Sequence, residues 1–99
     1  MTVAVQLEFR GATLEHYDRI NENIGRLPGG PAPHHELFHW VTGTDDGFLV
    51  TDVWDSRADF EAFLHQRLEP AFTEVGVPAS PEIRYFDVHA YSAGGRWRE

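Results

Sequence analysis

The chain has 99 residues, room for one modest hydrophobic core and not for two. Its formal net charge of −8, from 8 Lys+Arg against 16 Asp+Glu, argues against nucleic acid and anionic membranes as partners, because both demand basic patches. It has no cysteine, which removes disulfides, thiol catalysis and thiolate metal sites together.

Read in chain order, "MTVAVQLEF" carries neither a basic stretch nor a small-residue cleavage site. No apolar run approaches the ~20 residues that span a bilayer. A cytoplasmic location is the expectation. Val3, Val5, Leu7 and Phe9 alternate with polar or small residues and predict a strand. Thr13 can cap a helix with Leu14, Tyr17, Ile20 and Ile24 on one face. Gly25 and the segment "LPGGPAP" end it.

Strands near 36–42 and 48–54 follow, joined by a turn of Thr44, Asp45, Asp46 and Gly47. Ser56 is a fitting N-cap for a second helix, with Asp59 favouring its positive end. Its apolar stripe is Phe60, Phe63, Leu64, Leu68, Phe72 and Val75, and Gly76 ends it. Pro70 is expected to split the element in two. A last strand is predicted over 83–91. The order β-α-β-β-α-β is the ferredoxin-like pattern: one α+β domain over 1–93 with a four-stranded antiparallel sheet and both helices on one face. A flexible tail is expected over 94–99, where two arginines follow two glycines.

The hairpin "HHELFHWVTGTDDGFLVTDVWDS" carries the chemistry. A tip centred on Asp45 and Asp46 sets His39 opposite Asp52. A tip of Asp46 and Gly47 sets His39 opposite Trp54 and Asp52 opposite Val41. In either register His39, Asp52 and Trp54 share a face, because strand side chains alternate. Opposed Cβ atoms are ~5 Å apart, so a carboxylate can reach an imidazole. A three-residue tip with a bulge would reverse the relation. A neutral imidazole held by a carboxylate is a general base in form: the carboxylate orients the tautomer and stabilises the imidazolium. A satisfied polar pair at a subunit interface is the structural alternative.

His39 and Asp52 are therefore the candidate catalytic pair. Trp54, Tyr17, Phe63, Tyr85 and His89 are the candidate substrate-binding residues. Tyr17, on the apolar stripe of the first helix, is expected in the core with its hydroxyl at a cavity edge, and Tyr85, Asp87, His89 and Tyr91 alternate as a polar row on the predicted last strand. No metal site is expected. His35 and His39 lie ~13 Å apart if extended, too far to share one ion. "PGGP" does not stand between a strand and a helix, so no nucleotide loop is expected either.

Both hairpin faces are apolar. Phe38, Trp40, Leu49 and Val53 lie on one side, and Leu37, Val41, Phe48, Val50 and Trp54 on the other. The helices can cover only one of these. A second copy of the sheet is the simplest cover for the other, so a sheet-to-sheet homodimer is expected.

The β-α-β-β-α-β order, the two-faced sheet and "VTDVWDSRADFEAF" resemble the dimeric α+β barrel superfamily, especially small antibiotic-biosynthesis-monooxygenase-like proteins. The resemblance covers residues 2–92, and Trp54-Asp55-Ser56 leading into the second helix is its most specific part. It implies a ligand pocket within each subunit, between sheet and helices. It also implies a choice among cofactor-independent oxygenases, polyketide cyclases, haem-degrading enzymes and isomerases. The plant polyketide cyclase of this fold uses a Tyr and a His on the second helix. Phe63 and Glu69 stand at those places here, so that chemistry does not carry over.

Three functions follow. The first is a cofactor-independent monooxygenase or cyclase/isomerase acting on a hydrophobic aromatic or polyketide-like molecule through His39 and Asp52. The second is a haem-binding or haem-degrading protein with His39, His89 or His65 as axial ligand. The third is a non-catalytic dimeric ligand-binding module.

Overall fold

The computed structural model describes residues 1–27, 29–93 and 96–98. Its elements are β1 (Val3–Arg10), α1 (Leu14–Ile24), β2 (Glu36–Gly43), β3 (Gly47–Trp54), α2 (Arg57–Phe63), a π-helical turn (Leu64–Leu68), α3 (Glu69–Val75), β4 (Glu82–Asp87), β5 (Tyr91–Ala93) and β6 (Arg96–Arg98). The sheet order is β2-β3-β1-β4, all antiparallel, which is the ferredoxin-like α+β arrangement. Strands β5 and β6 pair with each other as a separate hairpin. The expected flexible tail falls partly on residues 94, 95 and 99, outside the described residues.

Local chemistry sets the element ends. The Thr13 hydroxyl accepts the His16 N–H at 3.2 Å, and His16 Nδ1 accepts the Thr13 N–H at 3.0 Å. This is a capping box with histidine in the place of the usual Glu or Gln. Gly25 closes α1 in the left-handed conformation (φ 79°), which a side chain would strain. Ser56 caps α2 by accepting the Asp59 N–H at 3.1 Å. Such a cap contributes about 1 kcal/mol.

Pro70 does not split the second helical element. The chain runs from α2 through the π-turn into α3, and the Glu69 N–H donates to Leu64 O. The ladder thus widens by one residue just before the proline, where an α-turn would set the ring against the carbonyl of Gln66. The last strand is shorter than expected. β4 stops at Asp87, although the Val88 N–H still donates to Thr2 O at 3.1 Å.

The core lies between the helices and one sheet face. Val3, Val5, Leu7 and Phe9 of β1 and Phe48, Val50 and Trp54 of β3 pack on Ile20, Phe60, Leu64, Leu68 and Phe72. Leu14, expected on the apolar face of α1, is exposed instead. Gly47 permits the tight pairing at the hairpin's edge, because a Cβ there would run into the carbonyl of Phe9. On the opposite face, Phe38, Val53, Ala4 and Phe86 form one cross-strand row, with Trp40 beside them. Phe38 is 39% exposed, Trp40 47% and Phe86 50%, so these aromatic side chains of the sheet face stay open to solvent among the described residues.

Candidate active site

The β2–β3 hairpin takes the register in which His39 stands opposite Asp52. Both point towards the helices, with Trp54 one step along β3. His39 Nδ1 lies 2.5 Å from Asp52 Oδ1. The second oxygen, Oδ2, accepts the Trp54 indole N–H at 3.1 Å. On the other side of the ring, His39 Nε2 lies 2.6 Å from the Tyr17 hydroxyl. Tyr17, His39, Asp52 and Trp54 thus form one hydrogen-bonded chain from α1 across two strands.

Packing holds this chain in place. Asp52 is 3% exposed and Trp54 1%. The indole sits against Phe60 at 5.7 Å and Phe63 at 5.3 Å between ring centroids. Tyr17 packs edge-on to Phe48 at 5.7 Å. A carboxylate so deeply buried is tolerated because charged or polar donors occupy both its oxygens.

Alternation alone misses Glu36, which by spacing should face away from His39. A β-bulge between Glu36 and Phe38 adds one residue, so Glu36 turns to the same face. Its carboxylate lies 3.9 Å from His39 Nδ1 and forms an ion pair with Arg26. Arg26 follows the Gly25 cap, and its N–H returns to Asn21 O at 2.8 Å. The helix ending thereby folds Arg26 back over the site. The Gly25 signal was the available clue to Arg26; no residue type announces the bulge.

Two spaces meet at these side chains. One is an open groove of about 640 Å³ between α1, the 26–37 segment and β2. The other is a small internal cavity of about 40 Å³ between sheet and helices, lined mostly by apolar side chains that include Phe63. Tyr17, Asn21, Arg26, Glu36 and His39 line both and form the partition. The groove is within the range of small-molecule sites, about 300–1,000 Å³. The internal cavity is of the size that holds ordered water.

The structure brings His39, Asp52, Tyr17, Trp54 and Phe63 together. Trp54 lines neither space, however: it anchors Asp52 from behind rather than forming a wall. Tyr85 and His89 lie elsewhere. Tyr85 borders a separate cavity with Met1, Ser56 and Asp87 and lies under the Arg57 guanidinium at 3.7 Å. Burial, and then the Glu61 carboxylate, raise its phenol above the usual 10.0, against the pull of Arg57. His89 is exposed on the bend after β4, because the strand ends before reaching it.

No family model and no curated protein matches the chain. Solved structures match over nearly its whole length. One is a protein of Deinococcus radiodurans assigned to the antibiotic biosynthesis monooxygenases, at 17% identity over 96% of this chain and 100% of that one, with a TM-score of 0.58. Another is SnoaB, a cofactor-independent oxygenase from Streptomyces nogalater, at 18% identity over 96% of both chains and a TM-score of 0.55. This chain has the antibiotic-biosynthesis-monooxygenase fold. Within the monooxygenase fold, the sheet-to-helix space is where the His39 network sits.

Glu36, His39 and Asp52 bring one ligand-type atom each within 4.8 Å of one another, as do His35, Asp55 and Asp59 at the surface. In the first cluster Arg26, Tyr17 and Trp54 engage the outward atoms, Glu36 Oε1, His39 Nε2 and Asp52 Oδ2, while Glu36 Oε2, His39 Nδ1 and Asp52 Oδ1 face one another. Haem ligation finds no free imidazole in the partition, since both ring nitrogens of His39 are engaged. His65 lies on an exposed face, with Nδ1 2.6 Å from Glu69. No described helix is long and apolar enough to cross a membrane.

Proposed function

We propose that this chain is a cofactor-independent enzyme of monooxygenase or cyclase/isomerase type, acting on a hydrophobic aromatic or polyketide-like molecule held in the groove. The observation that carries this reading is the His39 imidazole, bridged between the buried Asp52 carboxylate and the Tyr17 hydroxyl at the wall of that groove. Such an arrangement takes a proton from a weakly acidic C–H and stabilises the imidazolium that results. The electron pair stays on the substrate carbon. An aromatic carbanion of this kind can pass an electron to O2 directly. Recombination then gives a peroxide, and loss of water leaves a ketone, so that CH2 plus O2 becomes C=O plus H2O. Without O2 the same carbanion attacks a carbonyl of its own chain, which is cyclisation. The naming of SnoaB as a cofactor-independent oxygenase supports the first course.

The working unit in this reading is a homodimer joined through the open sheet face. Phe38, Trp40 and Phe86 supply an apolar surface that a second copy would bury. Oxygen uptake with polyphenols carrying an activated methylene tests the enzyme directly. Uptake matched by ketone formation, and abolished in His39→Ala, is the expected result. Equal uptake by wild type and His39→Ala would overturn the reading.

A further inference from the structure

We propose that Tyr17, rather than His39, is the group that exchanges a proton with the substrate, with His39 and Asp52 behind it as the proton store. The inference rests on the acid–base reading above and narrows it to one atom. The Trp54 indole is only a donor, so Asp52 Oδ2 is an acceptor there at 3.1 Å. With Oδ1 2.5 Å from His39 Nδ1, the carboxylate accepts on both oxygens and places the imidazole hydrogen on Nδ1. In the neutral ring the lone pair then belongs to Nε2. Tyr17 occupies that lone pair at 2.6 Å, with its O–H donating. A substrate C–H cannot reach Nε2 without displacing the phenol. The Tyr17 oxygen keeps a free lone pair, and Tyr17 borders both groove and cavity.

The step balances as a relay. The substrate C–H bond breaks and its proton forms a new O–H bond on Tyr17. The original Tyr17 proton moves to His39 Nε2, and the electron pair remains on the substrate carbon. The imidazolium so formed faces Asp52 at 2.5 Å and Glu36 at 3.9 Å, while Arg26 balances the charge of Glu36. The two rings are nearly parallel, at 14°, and Phe48 supports Tyr17 from the side. The phenol is therefore held by packing and not by the hydrogen bond alone.

Proton exchange under argon isolates this step from oxygen chemistry. β-Tetralone, an aromatic ketone with an activated methylene, serves as the probe in deuterated buffer, read by proton NMR. Wild type should exchange the methylene, and Tyr17→Phe should lose about 10²–10⁴-fold, the usual worth of a general base. Tyr17→Phe exchanging at the wild-type rate would overturn the proposal, because His39 would then work alone. A wild type that leaves the methylene unexchanged would overturn it too. Exchange under argon that depends on Tyr17, with no O2 uptake when the same protein and ketone are mixed in air, would instead sink only the oxygenase course. Nitrogen NMR of His39 supplies a readout independent of turnover. An Nδ1–H ring whose Nε2 signal moves in Tyr17→Phe is expected, and an Nε2–H ring would contradict the relay.

Discussion

The imidazole of His39 and the carboxylate of Asp52 meet at 2.5 Å across β2 and β3, with both residues directly opposed in the ladder. Trp54 and His39 take both oxygens of Asp52, which makes it a positioning residue in the proposed acid–base function. Asp52→Asn keeps the shape but sets an amide donor against either the Trp54 N–H or the His39 N–H. One buried donor is left unpaired, at a cost of about 1–3 kcal/mol. Turnover should slow, though less than in His39→Ala, and urea unfolding should show the loss of stability.

Arg26 and Glu36 form a largely buried ion pair, with side-chain exposures of 15% and 3%. Arg26→Ala would leave Glu36 uncompensated beside His39. A loss of about 3–5 kcal/mol is expected from breaking such a pair on one side. Replacing both residues with apolar ones of similar volume should cost far less. Comparison of the single and double variants by chemical denaturation checks the difference.

Tyr85 gives the fold an alkaline limit. Its phenol is raised above 10.0 in the folded chain by burial first and by Glu61 second. The folded state therefore holds this proton more tightly than the unfolded state. The resulting stability is fully present below the unfolded value and is lost as pH rises through the folded one. Thermal melts should fall above about pH 10, and Tyr85→Phe should remove that part of the decline.

The open sheet face predicts self-association. Light scattering at micromolar concentration should give twice the 11.3 kDa mass of one chain. The paired change Trp40→Asp and Phe86→Asp should return the protein to monomers. A wild-type monomer would contradict the homodimer.

The sheet and the shared face of His39, Asp52 and Trp54 were legible because strand side chains alternate, whereas the turn left two registers open and the structure takes the one with His39 opposite Asp52. The helix caps were legible for a similar reason, since Thr13, Gly25 and Ser56 act locally. Glu36 was not, because a one-residue bulge reverses strand parity with no mark in residue type. His89 was assigned to the last strand because alternation continues past Asp87 while the pairing does not. Pro70 misled in the other direction: a π-turn absorbs a proline that in an ordinary α-helix would break the element. Trp54 was expected to bind substrate and is a buried anchor, a difference that only the packing of α2 decides.

The central claim is that the His39 network performs proton transfer on a molecule in the groove. The most direct measurement is the turnover of His39→Ala against wild type on a substrate identified by oxygen uptake, with light scattering run on both. A rate loss of about 10²–10⁴-fold is expected, with the dimer unchanged. An unaltered rate, or a weakened dimer with ligand binding intact, would contradict it and leave the hairpin a structural element.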